Sequence, residues 1–530
     1  LLGVERFVAE YAEKAKYSMA NRPTQTRPVR VRIINELGNG QTLPDDPGQF
    51  ELLPGGPDVV FLGLGPTPAT LGQHFPAIAR AAYVDCPDMI AQIDGWESRV
   101  PGGFTRITPE SFTPERAAAA TVIRYRPGLK AFPSFFAPLA ARAALAKEGG
   151  QNHAAPSAKT VWIPSAESDL LGRELRLAFE SRGWRVRIMD PEPLERSPGT
   201  ELPRLLARGV PELFLSVNFR GLEPFGLGQS ILREAGTTVA VWMVDNPFHL
   251  LTGVKNTCWR QAKLFVTDHT FIGPLTENGA RWVHHLPLAA SPELFATPGP
   301  LPENARDLAD RLVFVGRSEF PKKQQYFAGL TPDPALMSKA EAMLDHGRRP
   351  DFHWWRARVP APLWPGNEVR RVGIGAEVAG RAWRTRCLGE AGPQAVIFGD
   401  DAWKHSPGIT ADVRPVIDYY TALPSVYRAA GAVLNVTGMQ LPAGLTQRHF
   451  DVWCAGGLLL TDANPGLAIF PGELTAPVTF TAPDELMPLF ASHRADASTA
   501  QDLRHAWQEL LLAEHTYAHR VDTILTRLCL

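Results

Sequence analysis

In the stretch LTQRHFDVWCAGGLLLTD (445–462), Arg448 and Asp451 lie three residues apart, so on a helix they would be neighbours. Two readings fit that spacing. The Asp451 carboxylate could hold both hydroxyls of a ribose, with Arg448 and the free N–H groups of the helix start holding a diphosphate. Alternatively, the two residues form an ion pair on a surface helix. Thr446 is placed to cap this helix, and Gly456–Gly457 to end it before a buried strand.

A second cluster lies in LVFVGRSEFPKK (312–323). Its strand ends at Gly316, where a missing side chain would let a phosphate approach the backbone. Arg317, Lys322 and Lys323 add positive charge; the plainer reading is a βα loop with solvated lysines. A third lies in VDNPFH (244–249), just past the expected strand TTVAVWMV. Asp245 or His249 could serve there as a general base toward an acceptor hydroxyl. The alternative is an Asp-Asn-Pro turn satisfied by its own backbone.

Metal ligation is not expected. His515 and His519 have i,i+4 spacing but lack the glutamate of HExxH, and His284 and His285 are adjacent and would face opposite ways on a strand. Asp400 and Asp401 are adjacent, with no Asp-x-Asp, and no GxSxG elbow is present. In DVVFLGLGPTPATL (58–71), Gly63 and Gly65 match the first two glycines of a dinucleotide fingerprint, but Pro68 takes the third place. A structural βα turn is the competing reading.

These residues need a scaffold. From 158 to 297, short β-rich runs such as KTVWIP, ELFLSV and KLFVTD alternate with helical patterns, and from 308 to 530 RLVFVG, QAVIFG, AAGAVLNV and GGLLLTD do the same. Such interleaving predicts parallel sheets covered by helices on both faces, with ligands at the carboxyl ends of the strands. The Pro-rich FATPGPLPEN separates the two segments, and KEGGQNHAAPSAK separates both from an amino-terminal α/β region, 1–156. Residues 4–11 carry a helical pattern (Val4, Phe7, Val8, Tyr11) and not the apolar core of a signal peptide.

Composition agrees. The chain has 530 residues, 45% hydrophobic and 21% charged, with a net charge of −1, which fits several globular domains and argues against nucleic-acid binding. No apolar run approaches the ~18 residues that span a bilayer, so no integral membrane segment is expected. The five cysteines, Cys86, Cys258, Cys387, Cys454 and Cys529, are widely spaced, which fits a reducing, cytoplasmic setting. Residues 345–386 hold nine Arg against four acids. That stretch is either a solvated helical surface or an attractor for an anionic acceptor.

Several blocks in series carry a family resemblance: HLPLAASPELF (285–295), LVFVGR, AVIFGDDAW (395–403), SVYRAAGAVLNVT (425–437), QRHFDVWCAGGLLLTD and HTYAHR (515–520). In order and spacing, residues ~160–525 resemble the spore-maturation CgeB-like glycosyltransferases. The resemblance implies an α/β protein with two Rossmann-like lobes facing a cleft, the GT-B type, the last helix crossing back toward the first lobe. It also implies transfer of a sugar from a nucleotide diphosphate to an acceptor hydroxyl without a metal or bound cofactor. The partners would be a nucleotide sugar and a glycan, lipid or protein acceptor. Asp451 matches the second acid of the related Glu-x7-Glu pair, which faces the ribose; the first position falls on Ala443, which has no carboxylate. Gly316, Arg317 and Lys322 would hold the diphosphate with Arg448 assisting, and Gly399 would lie near the base. Two other readings stand beside this one. The chain could be a non-catalytic binding protein that keeps the fold, or a nucleotide-dependent epimerase or oxidoreductase using the GLGPTP turn.

Overall fold

The computed structural model describes residues 30–148, 156–167, 169–297 and 299–530. The helical pattern at 4–11 and most of the first linker lie outside the described residues. Three α/β sheets follow one another along the chain, beside a hairpin of Arg30–Ile34 and Gly40–Pro44.

The third sheet positions most of the candidate residues. Its strands lie in the order Asp412–Arg414, Ala395–Phe398, Leu312–Val315, Ala432–Asn435, Leu459–Asp462, Thr479–Phe480, and every neighbouring pair is parallel. Numbered along the chain this is 3-2-1-4-5-6, the Rossmann order. Its switch point falls between Leu312–Val315 and Ala432–Asn435, where the connections depart in opposite directions and leave a crevice. The runs LVFV and AVIF, and AVLN up to its terminal Asn435, are apolar because helices cover both faces; nearly all of their residues are buried.

The second sheet runs Val283–His285, Lys263–Val266, Thr238–Met243, Pro211–Val217, Ser157–Pro164, Arg185–Met189. Numbered along the chain this is 6-5-4-3-1-2, the other common doubly wound order. The first sheet has five strands: Ala120–Tyr125, Asp58–Leu62, Ala81–Val84 and Phe104–Arg106 are parallel, and Phe50–Leu53 pairs antiparallel at the edge. The expected α/β architecture, with two Rossmann-like parallel sheets and an amino-terminal α/β region, is thus the one observed.

The chain packs as two compact units. One holds the described residues of Leu1–Ser168 with Arg185–Val241 and Gly253–Ala262; the other holds Asp169–Trp184, Trp242–Thr252 and Lys263–Leu530. The segment 158–297, read from sequence as one lobe, contributes to both. The second unit contains every donor-site and catalytic candidate. Within it HTYAHR is tied to the segment before the third sheet. Tyr517 N donates to Ala290 O at 2.9 Å, Ala290 N to His515 O at 2.8 Å, and Arg520 Nε to Pro287 O at 2.9 Å.

The helix Val369–Ala391 is the longest in that unit. Its Gly373, Gly375, Ala376, Ala379 and Gly380 are buried. A Cβ on Gly375 would stand 2.3 Å from the Trp355 ring, so the small residues are what let neighbouring rings approach. The basic stretch is not simply solvated. Arg349, Arg356, Arg371, Arg381 and Arg386 are ion-paired with Asp462, Glu277, Glu368, Glu319 and Asp345. No helix among the described residues is long and apolar enough to cross a membrane.

Candidate functional site

Arg448 bridges the switch point. It opens the helix Arg448–Cys454, and its Nη2 donates to Val315 O at 2.5 Å while Nη1 donates to Asn435 Oδ1 at 2.9 Å. Both acceptors sit at the carboxyl ends of the two strands that flank the crevice. The guanidinium lies 5.4 Å from the Phe314 ring centre, and a Cβ on Gly316 would stand 3.0 Å from Nη2. Gly316 therefore leaves room for this arginine at the strand end.

A second guanidinium joins it. Arg384, on the helix Val369–Ala391, donates to Arg317 O at 3.1 Å. Burial holds its proton affinity below the ordinary value; Glu377 opposes that shift, and the charges of Arg448 and Arg381 add to it. Like charges held together in a buried setting call for an anion. Sequence reasoning missed Arg384, although the basic stretch 345–386 contained it. The Arg317 and Lys322 side chains are exposed on the same loop, and Lys322 takes a left-handed φ of 61° immediately before the helix Lys323–Phe327. Lys323 is already neutralised: its Nζ lies 3.0 Å from Glu319 and 3.7 Å from Glu377.

The turn after the first strand is braced from the second. Asp400 accepts from Ser318 N at 2.8 Å and from its hydroxyl at 2.7 Å, and Trp403 Nε1 donates to Gly316 O at 2.9 Å. Gly399 has a packing reason for its missing side chain: a Cβ there would stand 2.4 Å from Gly316 O and 2.9 Å from the Trp403 ring.

Asp451 is not half of a surface ion pair, because its helix is buried and Arg448 turns to the strand ends. The carboxylate is 1% exposed. Oδ2 accepts from the Tyr419 hydroxyl at 2.6 Å, and Oδ1 from Gln447 Nε2 at 2.8 Å. Gln447 in turn accepts from the Tyr517 hydroxyl at 2.7 Å and donates to Ala289 O at 2.8 Å. Burial pushes the Asp451 pKa up to about 8 against the pull of those two hydrogen bonds. Thr446 does not cap this helix. Gln447 occupies the N-cap position, and the Thr446 hydroxyl donates to Asn435 Oδ1 at 2.8 Å. Gly456, at φ 79°, follows the helix as expected.

Ala443, at the place of the first acid, has a carboxylate beside it after all. Asp268 Oδ2 accepts from Ala443 N at 2.8 Å, and its Oδ1 holds the Thr270 N–H and hydroxyl. Asp268 is 1% exposed and comes from a segment 175 residues earlier. No local pattern could reveal it.

Asp245 and His249 part company. Asp245 is exposed at the end of the strand Thr238–Met243. His249 is half-buried as a residue, but its Nε2 is buried without a hydrogen-bond partner, and a Cβ on Gly373 would stand 2.1 Å from it. The rings of Tyr326, Phe352 and Phe327 surround it at 5.4, 6.0 and 6.1 Å. Burial, then the nearby Arg370 charge, lower its pKa to about 3. These surroundings favour the neutral ring. Asn246, between the two, caps the helix Pro247–Leu251 through Phe248 N at 3.1 Å.

The GLGPTP turn is filled by protein. A Cβ on Gly63 would stand 3.1 Å from Tyr125 Cβ, and one on Gly65 3.3 Å from the Phe50 ring. Asp85, where a ribose acid would stand, instead accepts from Leu64 N at 2.8 Å and Cys86 N at 3.0 Å. The structural βα turn is the reading that fits. Among the described residues no group of three or more His, Cys, Asp or Glu could hold a metal ion.

Solved structures with similar folds include the Anabaena protein HepE in complex with UDP-glucose. It is 12% identical over 69% of this chain and 99% of that chain, with a TM-score of 0.41. T4 phage BGT in complex with UDP and Mn2+ is 11% identical over 70% of this chain and 100% of that chain, with a TM-score of 0.37. A glycosyltransferase from Rickettsia africae ESF-5 is 9% identical over 69% and 97%, also at 0.37. No curated protein matches the chain. Residues 373–526, which carry Arg384, Arg448 and Asp451, match the family model described as glycosyl transferase-like.

Proposed function

We propose that this chain transfers a glycosyl group from a nucleoside-diphosphate sugar to an acceptor hydroxyl. One observation carries the reading: Arg448 and Arg384 converge at the switch point of a sheet in Rossmann order. The glycosyl transferase-like match over 373–526 supports it. In this reading the diphosphate lies against Gly316, between the two guanidinium groups, with Arg317 and Lys322 closing over it from the loop.

Charge builds on the diphosphate as the glycosidic bond breaks. Fixed guanidinium groups braced by backbone carbonyls would meet that charge without reorganising, so the charge compensation needs no metal ion. A ribose hydroxyl would take the place of the Tyr419 hydroxyl on Asp451 Oδ2. Asp245, exposed at a strand end, would accept the acceptor's proton; His249, with its low proton affinity and packed Nε2, would not.

Calorimetry with nucleosides, nucleoside monophosphates and diphosphates tests the site. Arg448→Gln and Arg384→Gln should each weaken a diphosphate roughly ten- to hundredfold and a nucleoside little. Equal losses for both would sink the diphosphate assignment. Donor hydrolysis without acceptor then separates a transferase from a protein that only binds.

A further inference from the structure

Asp451 is 1% exposed, and the Tyr419 hydroxyl donates to its Oδ2 at 2.6 Å. A ribose can reach that oxygen only if Tyr419 leaves it. The Tyr419 ring packs against Phe295, with ring centres 5.2 Å apart, and against Tyr420 at 4.8 Å. Its displaced hydroxyl would therefore stay in a crowded, largely apolar setting and need a new acceptor.

One stands nearby. Glu174, in the first turn of the helix Gly172–Ser181, is also 1% exposed. Its Oε2 accepts from the Tyr420 hydroxyl at 3.2 Å, but its Oε1 is buried with no partner. A buried carboxyl oxygen is costly to leave unpaired, so its presence calls for a donor that arrives in another state of the protein. Glu174 is also within electrostatic reach of the displaced group. Burial and the Asp451 charge hold the Tyr419 hydroxyl's pKa well above its ordinary value, and Tyr517 and Glu174 add to that.

Both tyrosines sit on one turn, residues 415–422, between the strand Asp412–Arg414 and the helix Leu423–Ala429. Asp418 organises this turn from within, its Oδ1 accepting from Tyr420 N at 3.1 Å and Thr421 N at 2.8 Å. Tyr420 is the anchored member of the pair, because the Arg173 guanidinium lies 4.3 Å from its ring centre.

We propose that Tyr419 gates Asp451: its hydroxyl closes the acid in the free protein and passes to Glu174 Oε1 when a ribose takes its place. Glu174 is then a positioning residue that controls nucleoside binding without touching the nucleoside, a role that rests on the ribose reading of Asp451.

Calorimetry on the full chain tests the hand-over, with uridine, guanosine and adenosine and then UDP, GDP and ADP as probes. Glu174→Gln keeps the side chain's shape but leaves one acceptor oxygen for two hydroxyls. It should weaken whichever nucleoside and diphosphate bind roughly three- to tenfold. In a Tyr419→Phe background, with no hydroxyl to place, the same substitution should change nothing. Tyr420→Phe releases the other oxygen and should rescue Glu174→Gln. Fluorotyrosine in place of Tyr419 gives a second readout in the otherwise unaltered chain: its fluorine resonance should shift when nucleoside binds. Equal weakening by Glu174→Gln in both backgrounds, no weakening in either, or an unmoved fluorine signal with nucleoside bound would overturn the gate and leave the donor site standing. If no nucleoside diphosphate binds the parent, the donor-site reading itself fails, and the gate with it.

Discussion

Asp451→Asn should make the protein relatively more stable as pH rises. The parent carboxyl is 1% exposed, and burial raises its pKa from 3.8 to about 8. A folded-state pKa above the unfolded value means the protonated form fits the fold. Its contribution is therefore full below pH ~4 and is lost progressively as pH rises to about 8. At ~1.4 kcal/mol per pH unit, the loss between pH 4 and pH 7 is about 4 kcal/mol. The asparagine has no charge to bury. Its Oδ1 can accept from Gln447 Nε2 and its Nδ2 can donate to the Tyr419 oxygen, both partners already in place at 2.8 and 2.6 Å. Glu174, also raised by burial, titrates in both proteins, so its own contribution largely cancels in the difference. Urea unfolding of parent and variant from pH 4.5 to 9 measures that difference directly. Parallel pH profiles would refute the argument, since they would mean that Asp451 ionises as easily folded as unfolded. The same variant reports on the ribose contact: nucleoside and nucleoside diphosphate should weaken alike, and unchanged affinity would leave Asp451 a purely internal group.

Three further outcomes are expected. Gly399→Ala should cost about 1–3 kcal/mol in denaturant unfolding, because its Cβ would stand 2.4 Å from a backbone carbonyl that cannot swing away. His249→Phe should be within ~1 kcal/mol of the parent at pH 7, since it removes a buried nitrogen with no partner. It should also flatten the acid side of the thermal stability curve. The parent's histidine stays neutral to about pH 3 when folded but protonates near 6.5 when unfolded, so that part of the stability falls as pH drops below 6.5. A nicotinamide dinucleotide should show no fluorescence change on addition of protein, because rings occupy the space over Gly63 and Gly65 and Asp85 caps the turn; a saturable change would overturn that reading.

Local pattern made the scaffold legible. Runs such as LVFV and AVIF declare buried parallel strands because each residue must be apolar when helices cover both faces. Gly456 marks a helix end because its φ of 79° suits little else, and Gly316 a strand end where a Cβ would press on the Arg448 guanidinium. The same local reading placed Arg448 in the candidate site. It counted Lys323 with Lys322 as positive charge beside Gly316, whereas in the structure Glu319 and the distant Glu377 neutralise Lys323. Nor could it decide whether Arg448 and Asp451 pair. The tertiary structure gives Arg448 to Val315 and Asn435 and Asp451 to Tyr419 and Gln447. Arg384 entered the site, and Asp268 came to stand beside Ala443, through contacts that spacing does not encode. Thus the sequence by itself determined the elements, the order of their types and the residues capable of chemistry. The tertiary structure decided which of those residues share a crevice and which are buried and neutralised. Hydrophobic periodicity acts over one turn or one strand, whereas charge pairing and desolvation depend on whichever distant segment packs alongside.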